Sequence, residues 1–354
     1  MIGRLLLVLM ITIGCIDTLE IDLPDERADR LVVEGFVEKG EQDYVFFASV
    51  STTQPVSDAP AITRLPATID ILANGLSTIQ IINGVPIQIG IDEYHRQFGI
   101  PQESVQFRLR VNARGKVFES TDQAIIPSPA EGQLSFTQTT RNELNEIENI
   151  VQRPYIQLRV NAPLINDNGK KVSMRWDVSG VYQFVEIAWT DNPFFQTKSC
   201  FVYDRLTNSQ FTVLQSDEVN GNTVEGFMID ELILDTRFYI GYYYTVLQRT
   251  LSDQAADYWN QIVLSGSREG SIFDVPAGRL SSNIRVVEGE EEDVVGYFYG
   301  TAVDTLRMLV RGTDVDQPRS PCPQEDTGDT TNDPCCNCLL LHNSTTNRPH
   351  FWEL

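Results

Sequence analysis

The sequence predicts a mostly β protein: an N-terminal β-sandwich, immunoglobulin-like or transthyretin-like, followed by a second β-rich domain with one or two short helices. Two observations carry this expectation. From Leu31 onward, short segments that alternate apolar and polar residues, or run apolar at strand length, recur between Gly, Asn, Pro and Asp punctuation. Strands buried on one face, joined by turns, produce that pattern. Helical periodicity is confined to a few brief stretches, and no repeat of fixed period points to a solenoid or propeller.

The elements follow in chain order. Met1 to Gly14 reads MIGRLLLVLMITIG, with Arg4 ahead of the apolar run Leu5 to Ile13. A spanning helix needs about 20 apolar residues, so this run is too short to span and has the length of a signal-peptide core. Gly14 puts a small residue before Cys15, and Thr12 stands three positions before it, where Leu is usual. The segment resembles the lipobox of bacterial lipoproteins, which implies cleavage before Cys15 and acylation of its thiol and new amino group, palmitate being one such chain. Each buried CH₂ contributes ~0.8 kcal/mol, so several chains on one residue anchor firmly. Residues 15–29 then form an acidic tether with Asp17, Glu20, Asp22, Asp25 and Glu26, stiffened by Pro24. Acidic residues soon after the cysteine also resemble a surface-export signal.

The sandwich is expected over 30–124. Its strands are LVVEGFVEKG, YVFFASVSTT, ATIDILANG, TIQIINGVPIQIG, QFRLRVNARG and VFEST, and Asn112 to Gly115 reads as a hairpin turn. Asp92 to Phe98 reads as a short helix, with Asp92 as N-cap and Gly99 as stop. Ile125 to Gly132, IIPSPAEG, is expected as a proline-rich linker, since two close prolines cannot occupy a central strand.

The second domain is expected over 133–312. Thr140 and Glu143 resemble a capping box, and Leu144, Ile147 and Val151 share one helical face, which predicts a short helix ending before Pro154. Strands then run from about Tyr155 to Leu247. Ala255, Tyr258, Trp259, Ile262 and Val263, behind Ser252 as N-cap, give the strongest helix signal in the chain. Further strands extend through VVGYFYGTAVDTLRMLVRG, and residues 313–354 form a polar tail with clustered cysteines.

Charge narrows the function. The net charge is −22, from 49 acidic and 27 basic side chains. A nucleic-acid binder needs a basic surface to displace counterions, so nucleic acid is excluded as a partner. Repulsion likewise disfavours peripheral attachment to anionic headgroups.

Cysteines stand at 15, 200, 322, 335, 336 and 338. With Cys15 lipidated, five remain, and an envelope location permits disulfides. Cys322, Cys335, Cys336 and Cys338 are the disulfide candidates, with pairing left open, and Cys200 is the candidate free thiol. Paired CxxC spacing is absent, so structural zinc is not expected, and no cofactor is implied. His95, His342 and His350 form no spaced pair, and no catalytic or nucleotide-binding motif is present. The Glu288 to Asp293 run and the Asp326, Asp329 and Asp333 cluster read as solvated acidic loops rather than calcium sites. Trp176, Trp189 and Trp259, with Tyr242, Tyr243 and Tyr244, could line a carbohydrate platform, although alternating aromatics are more often core.

Several segments together resemble a family of Bacteroidota outer-membrane lipoproteins, the domain-of-unknown-function 4249 family. The resemblance rests on Cys15 and its acidic follow-on, LVVEGFV (Leu31 to Val37), IIPSP, ADYWNQI (Ala256 to Ile262), GSIFDVPAGRLSSNI (Gly270 to Ile284), VVGYFYGTAV (Val294 to Val303), and a cysteine-bearing tail ending NRPHFW. The tail differs from the family's usual Gly-Gly-Thr-Asn turn, with LLLHNSTTN in its place. The resemblance implies a lipid-anchored protein at the outer membrane, facing the cell surface. It also implies a non-catalytic binding or scaffolding role beside an outer-membrane β-barrel, such as a TonB-dependent receptor or an assembly machine. A surface hydrolase acting on glycans or peptides and a stalk-like adhesin are the alternative expectations.

Overall fold

The computed structural model describes residues 30–53, 63–75, 77–98, 105–145, 147–187, 197–204, 211–266, 280–316, 318–322 and 333–352. The expected lipidation site Cys15, the signal segment and the tether lie outside them. The fold is mostly β, as expected. Among the described residues no helix is long and apolar enough to cross a membrane.

One long sheet organises the molecule. Its central strands are β1 (Leu31–Lys39), β2 (Asp43–Thr52), β11 (Ser173–Val185), β15 (Gly241–Leu251) and β18 (Phe298–Arg311), in the order β11-β15-β18-β1-β2. β5 (Ile87–Gly90) extends one edge, β12 (Ser199–Asp204) and β19 (Ser344–Thr345) extend the other, and the short strands β13 (Phe211–Leu214) and β17 (Val294–Val295) pair with β11 and β1. Two smaller sheets cover the same face of it. One comprises β3 (Thr68–Ala73), β4 (Ser77–Ile81), β6 (Gln106–Ala113), β7 (Lys116–Ser120), β8 (Gln123–Ala124) and β16 (Ile284–Glu288). It packs on β1 and β2 through Val33, Val37, Phe46, Ile69, Phe107 and Phe118. The other is β14-β10-β9, made of β9 (Gln133–Leu144), β10 (Ile150–Pro163) and β14 (Thr223–Ile233). It packs on β11, β15 and β18 through Leu158, Val160, Trp176, Tyr244, Val246 and Leu306.

The sequence expectations meet this structure unevenly. Arg114 and Gly115 both take positive φ at the β6–β7 turn (52° and 72°), as a two-residue hairpin requires. Helix α1 spans Ile91–Phe98. Helix α2 spans Asp253–Gly266, with Ser252 Oγ accepting the Ala255 amide at 3.3 Å. The helix expected from Thr140 to Val151 is instead the β9–β10 hairpin, in which Leu144 pairs with Ile150 and Thr140 with Pro154. Asn145 closes its turn, accepting the amides of Ile147 (3.1 Å) and Asn149 (2.9 Å) on its side-chain oxygen. The twelve-pair ladder with β10 supplies every residue of β9 with a strand partner, which a three-turn helix with its apolar face in water could not match.

The segment 125–132 is not a boundary between sheets. β1 pairs in parallel with β18, Phe36 opposite Tyr299, and β16 pairs with β7. Residues 284–311 therefore complete the sandwich expected to close at residue 124. The proline segment itself lies against the long sheet. Thr250 Oγ1 donates to the Ile126 carbonyl at 2.6 Å, and a Cβ on Gly300 would come within 2.7 Å of the Ala124 carbonyl. Glycine at 300 is what lets the crossing chain approach β18 so closely.

Candidate functional site

The face of the long sheet opposite the two small sheets carries an aromatic pocket. Side chains alternate along a strand, so in β1 Leu31, Val33 and Val37 enter the core while Glu34, Phe36 and Glu38 face the other way. Phe36 lies in register with Phe47 of β2 and Tyr299 of β18, with ring centroids 5.2 and 6.0 Å away. Helix α2 lies across this face. Its Ala255 and Ala256 are fully buried, which lets the helix settle closely. Tyr258 stacks on Tyr297 at 4.9 Å, and Trp259 meets Tyr299 edge-on at 5.7 Å. Between helix and sheet remains a cavity of about 170 Å³, lined by Glu34, Phe36, Arg249, Tyr258, Trp259 and Tyr299 among others.

A chain of ion pairs closes one end. Arg175 donates to Asp177 at 2.9 and 2.7 Å, Arg249 also bonds Asp177, and Arg249 donates to Glu38 at 3.1 and 2.8 Å. Burial opposes the charge on Arg249, but Asp177 and Glu38 outweigh it and hold its pKa above the usual range. The Arg175 guanidinium lies over two rings, 3.9 Å from the centroid of Trp259 and 4.1 Å from that of Phe211. Such contacts are worth about 0.5–2 kcal/mol each. Two guanidiniums and two carboxylates balance there.

Glu34, at the other end, forms no hydrogen bond or ion pair with any described residue. Its side chain is exposed to solvent, and partial loss of water raises its carboxyl above the ordinary range. Burial, and then the charge of Glu34, push the Tyr258 hydroxyl up. Tyr297 is raised to about 12 by burial first and the charge of Asp257 second. The Tyr297 hydroxyl and the Trp259 Nε1 are buried without a hydrogen-bond partner among the described residues.

A second surface feature is the tip of the β9–β10 hairpin. Leu144, Ile147 and Ile150 are 68%, 73% and 73% exposed. The turn around Asn145 fixes all three at one end of the sheet.

The tail from Cys322 is stapled back onto the long sheet. Cys200 of β12 is bonded to Cys338, and Cys322 to Cys335. The expectation that Cys200 is the free thiol is therefore wrong. β12 pairs with β11 and turns Cys200 inward beside Phe184 and Val202, where the tail docks and brings Cys338 within reach. Cys336 stands outside both disulfides. The tail then pairs through β19 and seats Trp352 against Phe201 and Tyr243.

The expected aromatic platform is divided. Tyr242, Tyr244 and Trp176 are fully buried in the core, with Trp176 Nε1 donating to Gln248 at 3.0 Å. Tyr243 faces the opposite way and is covered by Phe351 and Trp352. Trp189 lies outside the described residues, and Trp259 alone of the group lines the pocket. His95 packs edge-on against Tyr44 and Tyr94, and His350 is exposed beside Phe351. In the Glu288 to Asp293 run, Glu292 accepts from Arg114 at 3.0 Å and Lys116 at 2.9 Å, and Asp293 pairs with Arg30, so the loop is partly pinned. Asp326 and Asp329 are outside the described residues, and among those described no cluster of metal-ligating side chains occurs.

Reading residue types alone missed Glu34, Phe36, Arg175, Arg249, Tyr297 and Tyr299. One signal could have found four of them. LVVEGFV, ADYWNQI and VVGYFYGTAV, three segments on which the family resemblance rests, are far apart in sequence and meet in this pocket. No curated protein matches the chain, and no solved structure does. A model described as a domain of unknown function, DUF4249, matches residues 16–307. The resemblance seen in scattered segments thus extends over most of the sequence, and the chain belongs to the DUF4249 family.

Proposed function

We propose that this protein is a non-catalytic binding or scaffolding accessory of an outer-membrane β-barrel, such as a TonB-dependent receptor, held at the cell surface by a lipid on Cys15. The observation that carries the reading is the hairpin tip. Three large aliphatic side chains stand in water around a turn that Asn145 closes with two hydrogen bonds. Fully burying one such side chain contributes about 1.5–3 kcal/mol, so covering all three against a partner supplies the apolar centre that a specific interface needs. At the pocket Asp177 and Glu38 are both held by guanidiniums, so a paired-carboxylate mechanism would have only Glu34 to draw on. The family match begins directly after Cys15, which agrees with a mature chain starting there.

The test is co-purification from detergent-solubilised outer membranes. The wild-type chain is expected to carry a stoichiometric β-barrel partner. Ile147→Asp combined with Leu144→Asp should release that partner while changing stability by no more than about 1 kcal/mol, since both positions are exposed. Cys15→Ala should lose lipid labelling and leave the membrane fraction. A clean monomer that hydrolyses glycans or peptides would overturn the proposal in favour of a surface hydrolase.

A further inference from the structure

We infer that the pocket beneath α2 is a binding site for an organic ammonium group of side-chain size, such as a lysine side chain or a free alkylamine, held between Glu34 and the aromatic wall. The inference is independent of the docking role of the hairpin tip and uses none of its residues.

Charge balance is the first argument. Asp177 and Glu38 are neutralised by Arg175 and Arg249. Glu34 is left as one negative charge without a cation among the described residues. Glu34 lines the cavity while remaining exposed to solvent, so its charge is open to a ligand cation. An anion is disfavoured by the same count, because both guanidiniums already serve carboxylates. A neutral sugar would gain nothing from the Glu34 charge.

The wall is the second argument. Aromatic faces carry negative potential and attract cations within about 6 Å of the ring centre. This wall already does so for one protein cation, since Arg175 lies over Trp259 and Phe211. Phe36, Tyr258 and Tyr299 line the adjoining cavity, and among the described residues no guanidinium lies over their rings. Tyr297, only 4% exposed, lines it too, and its hydroxyl lacks a hydrogen-bond partner among the described residues. A hydroxyl oxygen can accept from an ammonium.

Size is the third argument. Pockets for drug-sized ligands measure about 300–1,000 Å³, and this one holds about 170 Å³. It suits one alkylammonium group and excludes an oligosaccharide.

Calorimetric titration of the full chain tests this with n-butylamine, n-butanol and butyrate as probes. Butylamine is expected to bind with a dissociation constant of about 1 mM, in keeping with its few heavy atoms. Butanol and butyrate should bind at least about tenfold more weakly. Glu34→Gln, which keeps shape and packing at an exposed position, should weaken butylamine by about tenfold or more with an unchanged melting temperature. Nα-acetyl-lysine amide separates the two sources. Tighter binding than butylamine assigns the site to a peptide lysine, and weaker binding assigns it to a free amine; either supports an ammonium site. Equal binding of butanol, absence of butylamine binding, or an unchanged affinity in a folded Glu34→Gln variant would overturn the inference.

Discussion

At the residue scale, Asp230 carries the clearest energetic signature. It sits on β14, is 6% exposed, and its carboxylate oxygens make no well-formed hydrogen bond. Burial raises its pKa to about 6, the charge of Asp204 adds to the rise, and the Glu231 amide offsets only part of it. The folded chain therefore holds a proton between pH 4 and 6 that the unfolded chain, with a carboxyl near 3.8, has already released. The stabilising effect of that proton is fully present below pH 3.8 and is lost as pH rises through 6. At neutral pH the ionised group costs about 3 kcal/mol, from roughly two pKa units at 1.36 kcal/mol each. Asp230→Asn should raise the melting temperature at pH 7.5 and leave it nearly unchanged at pH 4; equal shifts at both would contradict the assignment. Nothing in the local sequence singles out this aspartate from the other acids of a chain with 49 of them. Its burial depends on which sheet β14 packs against. The pocket residues were illegible for a related reason: Glu34, Arg175 and Arg249 meet only once the register of β1, β18, β15 and β11 is set.

Local pattern served well at the scale of single elements wherever tertiary contacts agreed with it. Helix α2 was legible because its apolar stripe is the stripe that packs, with Ala255, Tyr258 and Ile262 on the sheet. The Thr140 to Val151 stretch misled because a capping-box pattern and an apolar stripe are also compatible with a hairpin when a long partner strand follows. The outcome was set by the ladder with β10 and by Asn145 at the turn, and the apolar stripe stayed in water. The tail was legible as a disulfide-closed element, but the pairing required the position of β12. Cys200–Cys338 spans 138 residues and Cys322–Cys335 spans 13. In the chain-entropy model these closures are worth about 5 and about 3 kcal/mol. Urea unfolding should show a larger loss for the Cys200→Ala/Cys338→Ala pair than for Cys322→Ala/Cys335→Ala. The first pair should also release Trp352 from Phe201 and Tyr243, seen as a change in tryptophan emission.

At the scale of the whole molecule, the fold class was legible and the sharing of one sheet by both halves of the chain was not. Alternation and turns reveal strands, but they do not reveal that a strand near residue 35 pairs with one near residue 300. Gly35 lies opposite Phe298 and Lys39 opposite Ala302, so the N-terminal sandwich shares its sheet with the end of the chain. A fragment covering 30–132 should accordingly lack cooperative unfolding and a near-ultraviolet dichroism signal, whereas 30–352 should have both. A cooperatively melting 30–132 fragment would restore the two-domain division. The parallel β1–β18 pair also has a bearing on time. Synthesis delivers β1 and β2 first, with one edge of the pair open, and the strand that covers that edge emerges only after some 260 further residues have been made. Long-range pairing of this kind is slow to form. The nascent chain thus has no route to its finished sheet until translation is nearly complete, and the stretch made first is the one that waits longest in an unfinished state.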